Sequence, residues 1–235
     1  MTLLLNADVG EGFDDALVMP HLDAANIACG AHAGDEATMR ATVQLAKTHR
    51  VQIGAHPGYP DRANFGRQTL AIAPDALDAS IAAQIAALAA IVRDAGLTID
   101  YVKPHGALNH DMLQDDALFA RLCAIVAAAD CGKVLMVPTN AREAVQENIA
   151  REHGLAIWWE VFADRAYEAD GLLRARRHPD AVHGDAGSIR AQWQRIAEKG
   201  EIVAIDGSIL DVRHARTVCI HGDHPPSIAA IRPQS

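Results

Sequence analysis

Several short apolar runs in this chain end the same way, in a glycine-bearing loop that carries histidine or aspartate. That recurrence limits the folds open to it. Residues 25–29 are mostly small and apolar, as in a strand covered on both faces, and Gly30, His32, Gly34 and Asp35 follow at once. Residues 3–8 run into Gly10, Glu11 and Gly12, residues 51–56 end in His56 before Pro57 and Gly58, and residues 217–221 end in His221 before Gly222 and Asp223. Residues 99–103 end in Lys103, with His105 and Gly106 just beyond. A strand's two-residue period puts Asn6 with Asp8, and Lys103 with His105, on one face. Many strands that each deliver polar groups at their carboxyl ends describe a (β/α) barrel. A doubly wound sheet concentrates its glycine-rich loop at one switch point, and no GxGxxG is present.

Between these runs lie helical patterns at 36–49, 74–96, 115–129, 142–153 and 188–200. In the longest, Pro74 is placed for the first helical position and Gly96 for the stop, with Leu77, Ile81, Ile85, Leu88 and Val92 along one face. Residues 134–138 form a strand with little chemistry at its end. Residues 156–167 bring Glu160, Asp164 and Arg165 towards a carboxyl end, residues 168–185 form a loop, and 202–205 form a short strand or a link. Six or seven strands alternating with helices, without a linker-like composition shift, imply one α/β domain over residues 1–235.

Half of the residues are apolar but only 4% aromatic, which suits alanine-rich helices packed closely on a sheet. A formal charge of −9 weighs against nucleic acid or an anionic membrane surface as partner. The first residues lack the cationic start and unbroken apolar core of a signal peptide, and no stretch reads as long enough to span a membrane. Cys29, Cys123, Cys131 and Cys219 show no CxxC spacing, so neither a zinc knuckle nor a disulfide framework is expected. The expectation is a reduced, cytoplasmic protein.

Six blocks together resemble the LamB/YcsF family: residues 5–11, 25–35, 54–61 with 65–67, 102–108, 160–171 and 219–223. They cover nearly the whole chain in the family's order. The resemblance implies a seven-stranded barrel similar to the glycoside hydrolase and deacetylase barrels. It also implies the A subunit of an ATP-dependent 5-oxoprolinase, a hydrolase that opens the cyclic amide 5-oxo-L-proline to L-glutamate with two partner subunits, B and C. The chain departs from the family's usual pattern in three places. Residues 13–25 are abbreviated, Asn109-His110 replaces a usual Tyr-Asn pair, and the chain stops soon after Pro226. An altered substrate lid or partner contact, and an altered barrel closure, are therefore expected.

A lactam is a poor electrophile, and coupling its opening to ATP, with Mg2+, implies phosphorylation of the amide oxygen. Such a site needs a cation for carboxylate or phosphoryl oxygens and a base for water. Lys103 and Arg165 suit the first role, and Asp8, Glu160 and Asp164 the second. Asn6, Asn26, His56 and His105 join Arg165 as candidate substrate contacts. Each has a plainer reading: an ion pair of Lys103 with Glu160 or Asp8, a local Asp164-Arg165 pair, asparagines that satisfy buried backbone. Asp8, His32, His56 and His221 form a candidate metal set of the kind the related deacetylase barrels use, although no local HxxxH pair is present. Two other functions stay open: a stand-alone metal-dependent amide or carbohydrate hydrolase or deacetylase, and a non-catalytic small-molecule binding subunit. Self-association into a homo-oligomer is also open.

Overall fold

The structure, a computed structural model, describes residues 3–232. Seven parallel strands close into a barrel in the order β1 (Leu4–Val9), β2 (Ala24–Ala28), β3 (Gln52–His56), β4 (Tyr101–Val102), β5 (Val134–Pro138), β6 (Ala156–Phe162) and β9 (Thr217–His221). The last strand closes the ring by pairing with both β1 and β6. Around it lie α1 (Glu36–His49), α2 (Pro74–Asp94), α3 (Gly106–Met112), α4 (Asp116–Ala128), α5 (Glu143–Glu152), α6 (Ala186–Lys199) and α7 (Pro225–Ile231). Residues 202–205 contribute to no barrel strand. Their first part belongs to β7 (Glu201–Val203), which forms an antiparallel hairpin with β8 (Ile209–Asp211) outside the ring.

Local chemistry sets the helix boundaries. Asp35 is the N-cap of α1, accepting from the Thr38 amide, and Asp115 and Asp185 do the same for α4 and α6. Asp35 thus has a structural task, although it closes a loop rich in chemistry. Beyond the sequence pattern, α3 begins immediately after His105, where no helix was expected. The expectation that no stretch is long enough for a membrane also needs correction. At 21 residues, α2 is long and apolar enough by length and composition. Its stripe of Leu77, Ile81, Ile85, Leu88 and Val92 is instead buried in the helix layer of the barrel.

Strand alternation divides the core in two. Leu5, Ala7, Val9, Ile27, Ile53, Val102, Val161 and Val218 point outward to the helices, where full burial of an aliphatic side chain is worth roughly 1.5–3 kcal/mol. Inside, the amino-terminal end of the barrel is filled by Ala24, Tyr101 and Met136, with Trp158 against them. Above that plug the interior turns polar: Asn6, Asn26, Lys103, Glu160 and Thr217 are all buried.

The expected weakness at the C-terminus is not found. The ring closes fully, and α7 packs on α6 and is tied to the loop after β6 by the Ser227 hydroxyl, which donates to Asp164 at 2.8 Å. Two short 3-10 turns fill the abbreviated residues 13–25, held by Asp15, whose carboxylate accepts from the Gly10 amide and the Thr42 hydroxyl.

The plug leaves no room at Gly54. A Cβ there would lie 2.1 Å from Cε2 of Tyr101, and Tyr101 is held by its hydroxyl, which donates to Asn26 Oδ1 at 2.6 Å. Gly54→Ala is expected to destabilise the fold by about 3 kcal/mol, the upper range of overpacking. The double variant Gly54→Ala/Tyr101→Val should recover part of that loss in urea unfolding; strictly additive losses would show that the two sites do not clash.

Candidate active site

The carboxyl ends of the strands surround a cleft of 520 Å³ whose lining includes Asp8, Glu11, His56, Lys103, Arg165 and His221. A second hollow, of 460 Å³, lies at the opposite end near Ala89 and Gly132, where the polar side chains Arg93 and Asp130 pair with each other. Chemistry is therefore concentrated at the carboxyl face.

Lys103 stands at the floor of the cleft, only 2% exposed. Its Nζ is 2.9 Å from Asp8 Oδ1 and 2.8 Å from Glu160 Oε1, and it also donates to Cys219 Sγ at 3.3 Å. Burial alone would lower the lysine's pKa, but Asp8, Cys219 and Glu160 outweigh it and hold the ammonium well above its usual range. Asp8 mirrors this: burial would raise it, yet His56 and Lys103 keep it well below the ordinary carboxylate value. Glu160 is fully buried, and that burial raises its pKa despite Lys103. Its contact with Lys103 is one of charge, since neither carboxylate oxygen receives a well-aligned hydrogen bond among the described residues.

Asparagines support this group from below. Asn26 Nδ2 donates to Asp8 Oδ1 and to Asn6 Oδ1, both at 2.8 Å, and Asn6 Nδ2 donates to the Thr217 hydroxyl at 2.6 Å. With Tyr101 donating to Asn26 Oδ1, the buried amides form a continuous chain across the barrel. Asn6 and Asn26 lie beneath the cleft and do not line it.

On one side of Asp8, ligand-type atoms of Glu11, His32, His56 and His105 lie within 4.8 Å of one another. His32 Nε2 is 3.1 Å from Glu11 Oε1, His105 Nδ1 is 2.9 Å from His56 Nε2, and the His32 and His105 rings stack at 3.8 Å. Burial, and next Asp8, raise Glu11 to about 7. Burial, and next His56, lower His32 to about 3 and His105 to about 2. His56 moves the other way: burial opposes its charge, but the Asp8 carboxylate prevails.

On the other side, His221 is held by Asp164. The ring Nδ1 lies 2.9 Å from Asp164 Oδ2, which also accepts from the His221 amide and the Ser227 hydroxyl, each at 2.8 Å. Nε2 of His221 accepts from Arg176 at 2.8 Å. Arg165 lines the cleft but spends its guanidinium on the carbonyls of Ala181 and Arg174, bracing the loop of residues 168–185. Burial, and next Arg176, lower it to about 10.

Of the residues singled out from sequence, the fold brings Asp8, His56, Lys103, His105, Arg165 and His221 to the cleft. Glu160 and Asp164 sit behind Lys103 and His221 and do not open on it. Of the set Asp8, His32, His56 and His221, only His32 and His56 belong to the converging group, which contains Glu11 and His105 in place of Asp8, which pairs with Lys103, and His221, which turns to Asp164. Glu11 was missed as a site residue. The signal was Gly10, whose positive φ of 72° turns the chain back over the strand end.

Together these features define a seven-stranded parallel α/β barrel with a charged, histidine-rich site at its carboxyl face. The chain belongs to the LamB/YcsF family, whose model matches residues 3–233. Among curated proteins it is 46% identical to a 5-oxoprolinase A subunit (the one numbered 2) of Pseudomonas putida, over 98% of this chain and 91% of that protein. It is 45% identical to the 5-oxoprolinase A subunit of Chromohalobacter salexigens, over 97% and 94%. Among solved structures, the lactam utilization protein from Thermus thermophilus matches with a TM-score of 0.88 and 36% identity, over 98% of this chain and 94% of that one. A GH30 endoxylanase from Clostridium papyrosolvens matches with a TM-score of 0.54 at 9% identity, over 97% and 68%, a likeness of fold alone.

The Asp164 cluster makes a prediction with a defined sign. Burial would raise this carboxyl, but the His221 ring and amide and the Ser227 hydroxyl hold it below the usual carboxylate range. Its stabilisation is therefore complete above the unfolded value of roughly 3.9 and is lost as pH falls through the lower folded value. Asp164→Asn should cost about 3 kcal/mol at pH 7. Urea unfolding should show the gap to wild type closing only below about pH 4; a gap that is constant with pH would contradict the assignment.

Proposed function

We propose that this chain is the A subunit of an ATP-dependent 5-oxoprolinase, opening 5-oxo-L-proline to L-glutamate together with subunits B and C. The observation that carries this reading is the Lys103 ammonium, backed by two carboxylates at the floor of a cleft large enough for a small cyclic amide. It is supported by near-full-length similarity to proteins of that name. The buried or half-buried free thiols fit a reducing, cytoplasmic setting.

Transfer of the γ-phosphoryl group of ATP, with Mg2+, to the lactam oxygen converts a poor electrophile into a reactive one. Water then adds to the ring carbon. The C–N bond breaks as the ring nitrogen takes a proton, and a second water releases phosphate from the acyl phosphate to leave glutamate. Lys103 is placed to stabilise charge on the lactam or phosphoryl oxygen, where a preset cation in a dry site is most effective. Asp8 and Glu160 position it. His221, with Nδ1–H fixed on Asp164, offers Nε2 as the base for water once Arg176 moves aside. In this scheme Glu160 and Asp164 are positioning residues and not groups that touch substrate. His56, His105 and Arg165 form the wall against which the substrate is oriented.

One observation, the cluster of Glu11 with three histidines, favours a second reading as a stand-alone metal-dependent amide hydrolase. Glutamate release separates the two. From 5-oxoproline and ATP it is expected only when the chain is mixed with B and C, and no release from that mixture, or release by the chain alone without ATP, would overturn the proposal. In the active mixture, Lys103→Met should lower kcat by about 10²–10³-fold, while Lys103→Arg, which keeps the charge, should lose less. Equal losses would contradict an electrostatic role.

A further inference from the structure

The His56 and His105 rings face each other through nitrogens 2.9 Å apart. His56 Nδ1 lies 2.7 Å from the Lys103 carbonyl, and His105 Nε2 lies 2.9 Å from the Phe65 carbonyl. A carbonyl only accepts, so each of these nitrogens bears a proton. When both rings are neutral, the remaining nitrogens, His56 Nε2 and His105 Nδ1, turn lone pairs towards each other 2.9 Å apart in a buried position. Two lone pairs at that distance repel unless a positive centre lies between or beside them. Glu11 Oε1 adds a third donor, 3.4 Å from His105 Nδ1 and 3.9 Å from His56 Nε2.

We infer that His56 Nε2, His105 Nδ1 and Glu11 hold a divalent first-row transition ion of the zinc or cobalt type. Bonds of roughly 2.0–2.1 Å around one ion put neighbouring donors about 2.9–3.4 Å apart, which two of the three separations meet at 2.9 and 3.4 Å, while Glu11 Oε1 must close in from 3.9 Å on His56 Nε2. Two imidazoles with one carboxylate favour such an ion over Mg2+, which prefers oxygen ligands. The surrounding contacts are those of a supported metal site. In its neutral form each imidazole is held by a backbone carbonyl in the tautomer that points a lone pair inward. His32 stacks on His105 and reaches Glu11 with Nε2 at 3.1 Å, holding the carboxylate in place. Asp8 Oδ2, 3.4 Å from His56 Nε2, flanks the group on the side of Lys103. The open side faces the same cleft, which Glu11, His56 and His105 all line.

The competing account places a proton there, with His56 doubly protonated and donating to His105 beside the Asp8 carboxylate. The two differ in metal content, whatever the activity. The purified chain, loaded with Zn2+ or Co2+ and dialysed, should retain about one equivalent by elemental analysis. The Co2+ form should show visible absorption with nitrogen ligation, and Zn2+ should raise the thermal midpoint. His105→Ala and Glu11→Gln should each weaken Zn2+ binding by more than about 10-fold. Glu11→Gln keeps the size of the side chain, and near-ultraviolet circular dichroism of each variant separates loss of binding from loss of fold. Wild-type protein that retains no stoichiometric metal, shows only the Co2+ spectrum of the buffer, or binds as tightly when folded Glu11→Gln is used would overturn the inference. None of these readings depends on glutamate release, so a failed metal site and a failed lactamase assignment are distinguishable.

Discussion

A charged lysine inside a barrel must be neutralised, and the upper half of this interior is arranged around that requirement. The effective cost of burying an ammonium is several kcal/mol, recovered only with close, well-placed anions. Lys103 has two, Asp8 and Glu160, supplied by strands on different parts of the ring. Holding those carboxylates requires further polar groups, and the chain of Tyr101, Asn26, Asn6 and Thr217 provides them. The polar network is thus one connected structure, resting on the apolar plug of Ala24, Tyr101 and Met136.

Asp8 is where the parts of the site meet. It contacts Lys103 at 2.9 Å, Asn26 at 2.8 Å and His56 at 3.4 Å, and strand register places it level with His221 on one side and Asn26 on the other. The lysine and the histidine cluster consequently share one carboxylate. A change that moves Asp8 acts on both halves, so substitutions at Asp8, Lys103 and His56 should not be energetically independent.

Much of this was legible in the sequence, for a physical reason. A barrel that carries its chemistry at one rim must repeat the same transition, from apolar strand to polar loop, and residues 25–35, 51–61, 99–106 and 217–223 each show it. The period of two correctly grouped Asn6 with Asp8, and Lys103 lies against Asp8 and Glu160 as its burial required. Depth was not legible. Nothing in the local pattern distinguishes Glu160, enclosed behind a lysine, from a carboxylate open to substrate, because depth depends on the stagger of strands across the whole ring. Partnership across loops was equally hidden. His221 turns to Asp164, 57 residues away, and Glu11 reaches His32 over a glycine turn, so neither contact leaves a trace at fixed spacing.

The central claim is that Lys103 remains an ammonium ion in its buried setting because Asp8 and Glu160 hold it. The direct measurement is its titration by NMR of 13Cε-labelled lysine. The chain contains only Lys47, Lys103, Lys133 and Lys199, so Lys103→Arg assigns the resonance. The resonance of Lys103 is expected to stay at the ammonium position beyond the ordinary lysine value of about 10.4. A Lys103 signal that loses its proton below that value would show burial prevailing over the two carboxylates and would contradict the account.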